Sequence, residues 1–231
     1  MQTIFRILAA TVALAASVSG RPAGQLGTRA SQNDLLFNCD VSDVKPWLPA
    51  DQQNVTVPMD QKPRFITVGV GVQNYTCSDA GKFTSVGAVA SLYDVSCIAK
   101  LPIAQHIQDY MFTALNANDA PSVVDLLLLE GTLKIGDHYF IAGKDGKLVP
   151  VFDFTNTLKD KEQFVNVAKK GNIASPDSPG DVDWLELKRW RARQPRPPSA
   201  STRTLASPRH QWCMSGDKIS VPYAAQYWFY D

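Results

Sequence analysis

Between residues 64 and 76 apolar side chains fall at every second position, 66, 68, 70 and 72, with Gly69 and Gly71 between them. Such alternation, rich in Val, Ile and Thr, predicts a half-buried strand with its glycines on the opposite face. Ser78-Asp79-Ala80-Gly81 has turn chemistry, and Lys82 to Asp94 alternates again, so the two runs predict a β-hairpin. From Leu101 to Ala117 the period changes. Ile103, Ile107, Tyr110, Met111 and Ala114 share one face of a helix, and Pro102 is tolerated in its first turn. Ser122 and Asp125 have the chemistry to cap a second short helix over 122–129, although that apolar run also suits a buried strand. A second hairpin is expected from His138 to Phe154 about a turn at Gly143 to Gly146. Gln163 to Ala168, Val182 to Leu187 and Ile219 to Tyr230 add further strands. About seven strands with one or two helices (101–117 and 122–129) make a mainly β fold, an antiparallel sandwich or barrel-like domain over 35–231.

The first twenty residues read differently. Met1 to Arg6 carries one positive charge, Ile7 to Val18 is apolar, and small residues precede Arg21-Pro22. That is the three-part pattern of a signal peptide over 1–20, and the run is shorter than the roughly 20 residues a membrane span needs. Residues 21–34, rich in Gly, Ser, Thr, Asn and Gln, read as a flexible lead-in. A secreted, extracellular protein without a membrane span is the expectation. Its four cysteines, Cys39, Cys77, Cys97 and Cys213, suit an oxidising compartment, as do the sequons at Asn54 and Asn74. With the hairpin turning near residue 80, Cys77 sits at its tip and Cys97 past the far end of a strand. That places them roughly 40 Å apart at about 3.3 Å per residue, beyond the Cα limit of about 7 Å. The pairing 77–97 and its complement 39–213 are thereby excluded, and two connectivities stay open.

Charge changes the picture in one place. The chain carries 23 Lys and Arg against 22 Asp and Glu, which gives no case for a nucleic-acid partner. Yet Lys188 to Arg209 holds seven of the bases and no acid, with Pro195, Pro197, Pro198 and Pro208. Residues 188–212 are therefore expected to be irregular. A basic arm, a disordered loop and a shifted reading frame are the three explanations, and the composition favours the last.

Candidate chemistry is sparse. The glycines of Val68-Gly69-Val70-Gly71 lack the third glycine and the following helix of a dinucleotide site, so they are read as packing or bending positions. Asp181 and Asp183, at i and i+2, are a candidate acid–base or Ca²⁺ pair against a reading as solvated loop acids. Asp137-His138 is a candidate catalytic pair against a reading as a satisfied histidine at a sheet end. Alternation in the C-terminal run puts Tyr223, Ala225, Tyr227 and Phe229 on one face and Ala224, Gln226, Trp228 and Tyr230 on the other. Tyr223, Tyr227 and Trp228 are candidates for stacking on sugars or other planar ligands, against a reading as a central strand buried on both faces. No metal and no cofactor is expected.

Several strings occur together in a set order: Gly69 to Cys77 (GVGVQNYTC), Ala88 to Asp94 (AVASLYD), Gly136 to Phe140 (GDHYF), Asp183 to Leu187 (DWLEL) and Val221 to Tyr230 (VPYAAQYWFY). In them the chain resembles the domain-of-unknown-function family numbered 3455, and its secreted fungal members above all, over roughly residues 35–231. The resemblance implies a cysteine in the first signature and another shortly before the last, hence Cys77 with Cys213 and Cys39 with Cys97. It also implies a glycine turn and a strand after Leu187, where this chain departs. Members are at times labelled malate dehydrogenase, which the absent dinucleotide fingerprint and the absent βαβ alternation do not support. The expectation is a disulfide-stabilised β-domain that binds a carbohydrate or cell-wall component or sits at a surface. The alternative is a small extracellular hydrolase acting on polysaccharide.

Overall fold

The computed structural model describes residues 39–57, 59–116, 134–176, 181–189, 200–205 and 212–230, all within one unit spanning 31–231. Strands β1 (Pro63–Cys77) and β2 (Phe83–Asp94) form the first hairpin, turning at 78–82 where Gly81 takes a positive φ of 68°. A 3-10 turn, Pro102–His106, runs into helix α1 (Ile107–Asn116). β3 (Lys134–Ala142) and β4 (Leu148–Asp153) form the second hairpin, followed by a single helical turn, α2 (Thr155–Leu158). β5 (Phe164–Ile173), β6 (Val182–Arg189), β7 (Ala200–Leu205) and β8 (Lys218–Tyr230) complete the chain.

Each strand pairs antiparallel with the next, and β8 returns to pair with β1 along its whole length, from Pro63↔Tyr230 to Thr76↔Lys218. The curled sheet thus closes as a barrel, one of the two architectures left open by the sequence. Closure removes the free edges that an open sheet would expose.

The interior is filled by Phe65, Leu92, Ile135, Phe152, Phe154, Val165, Val167, Leu187, Tyr223, Ala225, Tyr227 and Phe229. Gly69 and Gly71 face this core. A Cβ at Gly71 would lie 2.0 Å from the carbonyl oxygen of Val89, and one at Gly69 would lie 2.6 Å from the ring of Tyr227. Only glycine lets β2 and that ring come so close. The apolar row of β1, Ile66, Val68 and Val70, points outward instead. There it packs with Ala224, Trp228 and Tyr230 of β8 and with Ile107 and Met111 of α1. The expectation of a half-buried β1 is corrected accordingly: over 65–70 it is buried on both faces, because the helix covers the outer one. β8 over 223–230 is buried on both faces as well, one of the two readings weighed for it from the sequence.

Two disulfides fasten the chain. Cys77–Cys213 ties the end of β1 to the approach of β8, and Cys39–Cys97 ties the N-terminal segment to the turn after β2, with Cα separations of 5.9 and 5.0 Å. This is the connectivity that the family resemblance implied.

The expected irregularity of 188–212 is corrected in part. Residues 188–189 finish β6, and 200–205 form β7, paired with β6 and β8. Ala-Ser-Thr-Arg-Thr-Leu offers little apolar pattern, so backbone pairing between two existing strands decides its conformation. Residues 190–199 and 206–211 lie outside the described residues, as do the signal peptide reading at 1–20, the lead-in at 21–34 and the second helix at 122–129. No helix among the described residues is long and apolar enough to cross a membrane.

Candidate functional site

The segment 39–57 runs as a strap over the outer wall of the barrel. Cys39–Cys97 anchors its start, Val41 is buried in the outer core, and Asp43 forms an ion pair with Lys100 at 2.8 Å. Its far end is held by Glu186 of β6, whose buried carboxylate accepts from the Thr56 amide and hydroxyl, each at 3.0 Å, and from Lys170 Nζ at 2.5 Å. Gly171 makes room for this end: a Cβ there would meet the Asn54 carbonyl oxygen at 1.9 Å.

Between the two anchors the strap does not lie flat. Residues 44–47, the 99–106 turn and the outward side chains of β1, β6 and β8 enclose a cleft of about 560 Å³. Trp47, Trp184 and Trp228 line it from three separate stretches of chain. Trp47 is exposed and meets Trp184 edge-on at 5.8 Å. Trp228 is locked in place because its indole N–H donates to Gln226 Oε1 at 2.9 Å, while Gln226 Nε2 donates to the Ala104 carbonyl at 2.8 Å. The 99–106 turn and the tryptophan are thus bridged by one amide. Lys45, Lys100, Gln105 and His106 add polar groups at the wall. Trp184 and Trp228 are buried, so Trp47 offers the exposed indole face, and such a face beside a few fixed polar groups suits an uncharged ring face with polar substituents.

The candidates read from the sequence scatter. Trp228 lies in the cleft, whereas Tyr223 and Tyr227 point into the barrel, where their hydroxyls meet at 3.3 Å. Burial pushes the Tyr227 phenol up to about 12 and the Tyr223 phenol well above its ordinary value. His138 also faces inward, stacked on Phe152 at 4.4 Å, with its Nδ1 on the Val151 carbonyl at 2.7 Å. Burial holds its pKa down at about 4, against the smaller upward pull of that hydrogen bond. Asp137 does not join it: its carboxylate pairs with Lys134 at 2.7 Å, half exposed, and its partner in register on β4 is Asp153. Asp183 is exposed and accepts from Asn172, while Asp181 begins the turn into β6. Asn54 is exposed on the strap, and Asn74 is half-buried with Oδ1 accepting from Ser220. Among the described residues, no group of three or more His, Cys, Asp or Glu side chains is placed to hold a metal ion.

Sequence reasoning missed Trp47, Trp184 and the cationic wall. Trp184 sits inside a quoted motif, and Trp47 follows Cys39 by eight positions. The signal that joins them is the Cys39–Cys97 pairing, which places 44–47 beside 99–106.

A closed antiparallel barrel with a disulfide-anchored strap and a tryptophan-lined outer cleft defines a β-barrel domain with a small-ligand-sized recess. Residues 58–231 match the family described as a protein of unknown function (DUF3455), and the chain belongs to it. No curated protein and no solved structure matches the chain.

Proposed function

We propose that the protein is a secreted, disulfide-stabilised binding domain whose outer cleft takes carbohydrate, as a component of or ligand at the cell surface. The observation that carries the reading is the convergence of Trp47, Trp184 and Trp228 on one recess. Pyranose C–H groups pack on the electron-rich faces of such rings, and a volume of about 560 Å³ falls within the roughly 300–1,000 Å³ of small-ligand sites. Export is supported by the N-terminal pattern, the sequons and the two disulfides. Binding is favoured over hydrolysis because Asp137 and His138 lie on opposite faces of β3, and Asp183 is held by Asn172 at the start of β6.

A glycan array probed with the secreted chain, followed by titration of tryptophan fluorescence, tests this. Trp47→Ala is expected to abolish carbohydrate binding, and D137N, D181N and D183N to leave it intact with no release of reducing ends. Retained binding in Trp47→Ala, or turnover lost in an amide variant, defeats the proposal.

A further inference from the structure

The ionisable side chains that line the cleft are all bases. Lys45, Lys100 and His106 contribute to its wall, and among the described residues no Asp or Glu does. Two exposed acids pair with bases of the wall: Asp43 with Lys100 at 2.8 Å, and Asp109 with His106 at 3.0 Å. Lys45 is exposed and has no ion pair among the described residues. The polarity runs against the rest of the chain. Outside residues 1–20 and the basic stretch 188–209, 15 Lys and Arg face 22 Asp and Glu. A recess lined by lysines and by no carboxylate, with aromatic low-dielectric walls, favours negative charge on whatever enters it.

We propose that the cleft selects an acidic carbohydrate, a short oligosaccharide whose pyranose rings carry carboxylates, as in a polyuronide. This rests on the carbohydrate reading above and gives it a ligand class. The exposed Trp47 face takes the ring C–H groups, and Lys45, which has no ion-pair partner among the described residues, takes the uronate carboxylate in a charge-assisted hydrogen bond. Lys100 and His106, each paired with an exposed acid, line the wall beside it. A neutral glycan would fill the same aromatic surface and leave Lys45 solvated.

Trigalacturonate, its full methyl ester and a sulfated disaccharide, titrated against the full secreted chain by calorimetry, test the proposal. The acid is expected to bind at least about tenfold more tightly than the ester at low salt, a gap of about 1.4 kcal/mol. The gap should shrink as salt rises. Lys45→Gln should weaken binding of the acid by at least about tenfold and so remove its preference over the ester. Equal binding of acid and ester overturns the charge selectivity alone and leaves the carbohydrate reading standing. Failure of the acid, the ester and every neutral glycan to bind overturns both. A preference for the acid that survives Lys45→Gln, or tighter binding of the sulfated sugar than of the uronate, overturns the assignment.

Discussion

The two faces of β8 carry the same kind of side chains and end in different surroundings. Inward, Tyr223, Ala225, Tyr227 and Phe229 meet Phe152, Phe154 and Leu92 from the opposite walls, and the glycines of β1 let the rings settle without a gap. Outward, α1 covers Ala224 and Tyr230, but the strap over Gln226 and Trp228 is held at its ends and stands off in the middle. An alternating aromatic strand therefore makes a core where closure brings partners to it. It makes a recess where a tethered segment keeps them at a distance. Aromatic content is common to both faces, and only the covering element separates a packed core from an open recess.

Removing the tether is the strongest way to break that contrast. A Cys39→Ser, Cys97→Ser double variant releases a link across 58 residues, which chain-entropy reasoning values at about 4 kcal/mol. The inner core needs nothing from this bridge, so the near-ultraviolet signal of the buried tyrosines should persist in the native state while carbohydrate binding falls away. Urea titration and a binding isotherm report the two effects separately. Equal loss of both signals would mean that the strap and the barrel form one cooperative structure and that the contrast is superficial.

Acid is expected to act on the inner face next. His138 is neutral when folded, with a pKa of about 4 against an ordinary value near 6.5, because burial disfavours the imidazolium. The unfolded chain therefore binds a proton that the folded chain refuses between those values. Stability from this group is complete above about pH 6.5 and declines as pH falls, to a loss on the order of 3 kcal/mol by pH 4. Below that the folded state also protonates and the decline levels off. His138→Gln retains an N–H for the Val151 carbonyl and should lack this component, so urea midpoints of the two proteins should converge as the pH is lowered to 4. Parallel midpoints across that interval would show that the ring is hydrated inside the barrel.

How much of this was legible in sequence depends on whether the partner was local. Both hairpins and the helix carry their period and turn residues within a dozen positions, and their bounds fall close to those expected. The inward and outward rows of β8 were also readable, since alternation alone assigns them. The outer burial of Ile66, Val68 and Val70 was not, because it is conferred by α1, some forty residues further along the chain. β7 was invisible for a related reason: Thr202 and Thr204 show no apolar alternation, and their strand exists because β6 and β8 stand ready on either side. The cleft needed three distant tryptophans and a disulfide at once. The candidate pairs Asp137-His138 and Asp181-Asp183 were legible only as neighbours in sequence, and a pleated strand sends adjacent residues to opposite faces.

The smallest effect tests whether the inward hydroxyls matter beyond packing. Tyr223 and Tyr227 share one long hydrogen bond of 3.3 Å in the aromatic interior that also holds His138, and neither phenol has another hydrogen-bond partner among the described residues. Tyr223→Phe removes one hydroxyl, keeps the ring and leaves Tyr227 with a buried, unpaired O–H. The loss of a neutral hydrogen bond and the orphaning of its partner work against the gain from burying a less polar ring, for a net cost of about 1 kcal/mol. A Tyr223→Phe, Tyr227→Phe double variant orphans nothing and should recover part of that cost, a non-additivity expected of residues in direct contact. Neither variant should alter the affinity of the outer cleft, because Gln226 and Trp228, which project from the opposite side of the same strand, keep their bonds to Ala104 and to each other. Thermal melts and the carbohydrate isotherm together decide the matter. A shift in ligand affinity on inward substitution would mean that β8 transmits between its faces, and the separation of core from recess would fail at the strand where it is clearest.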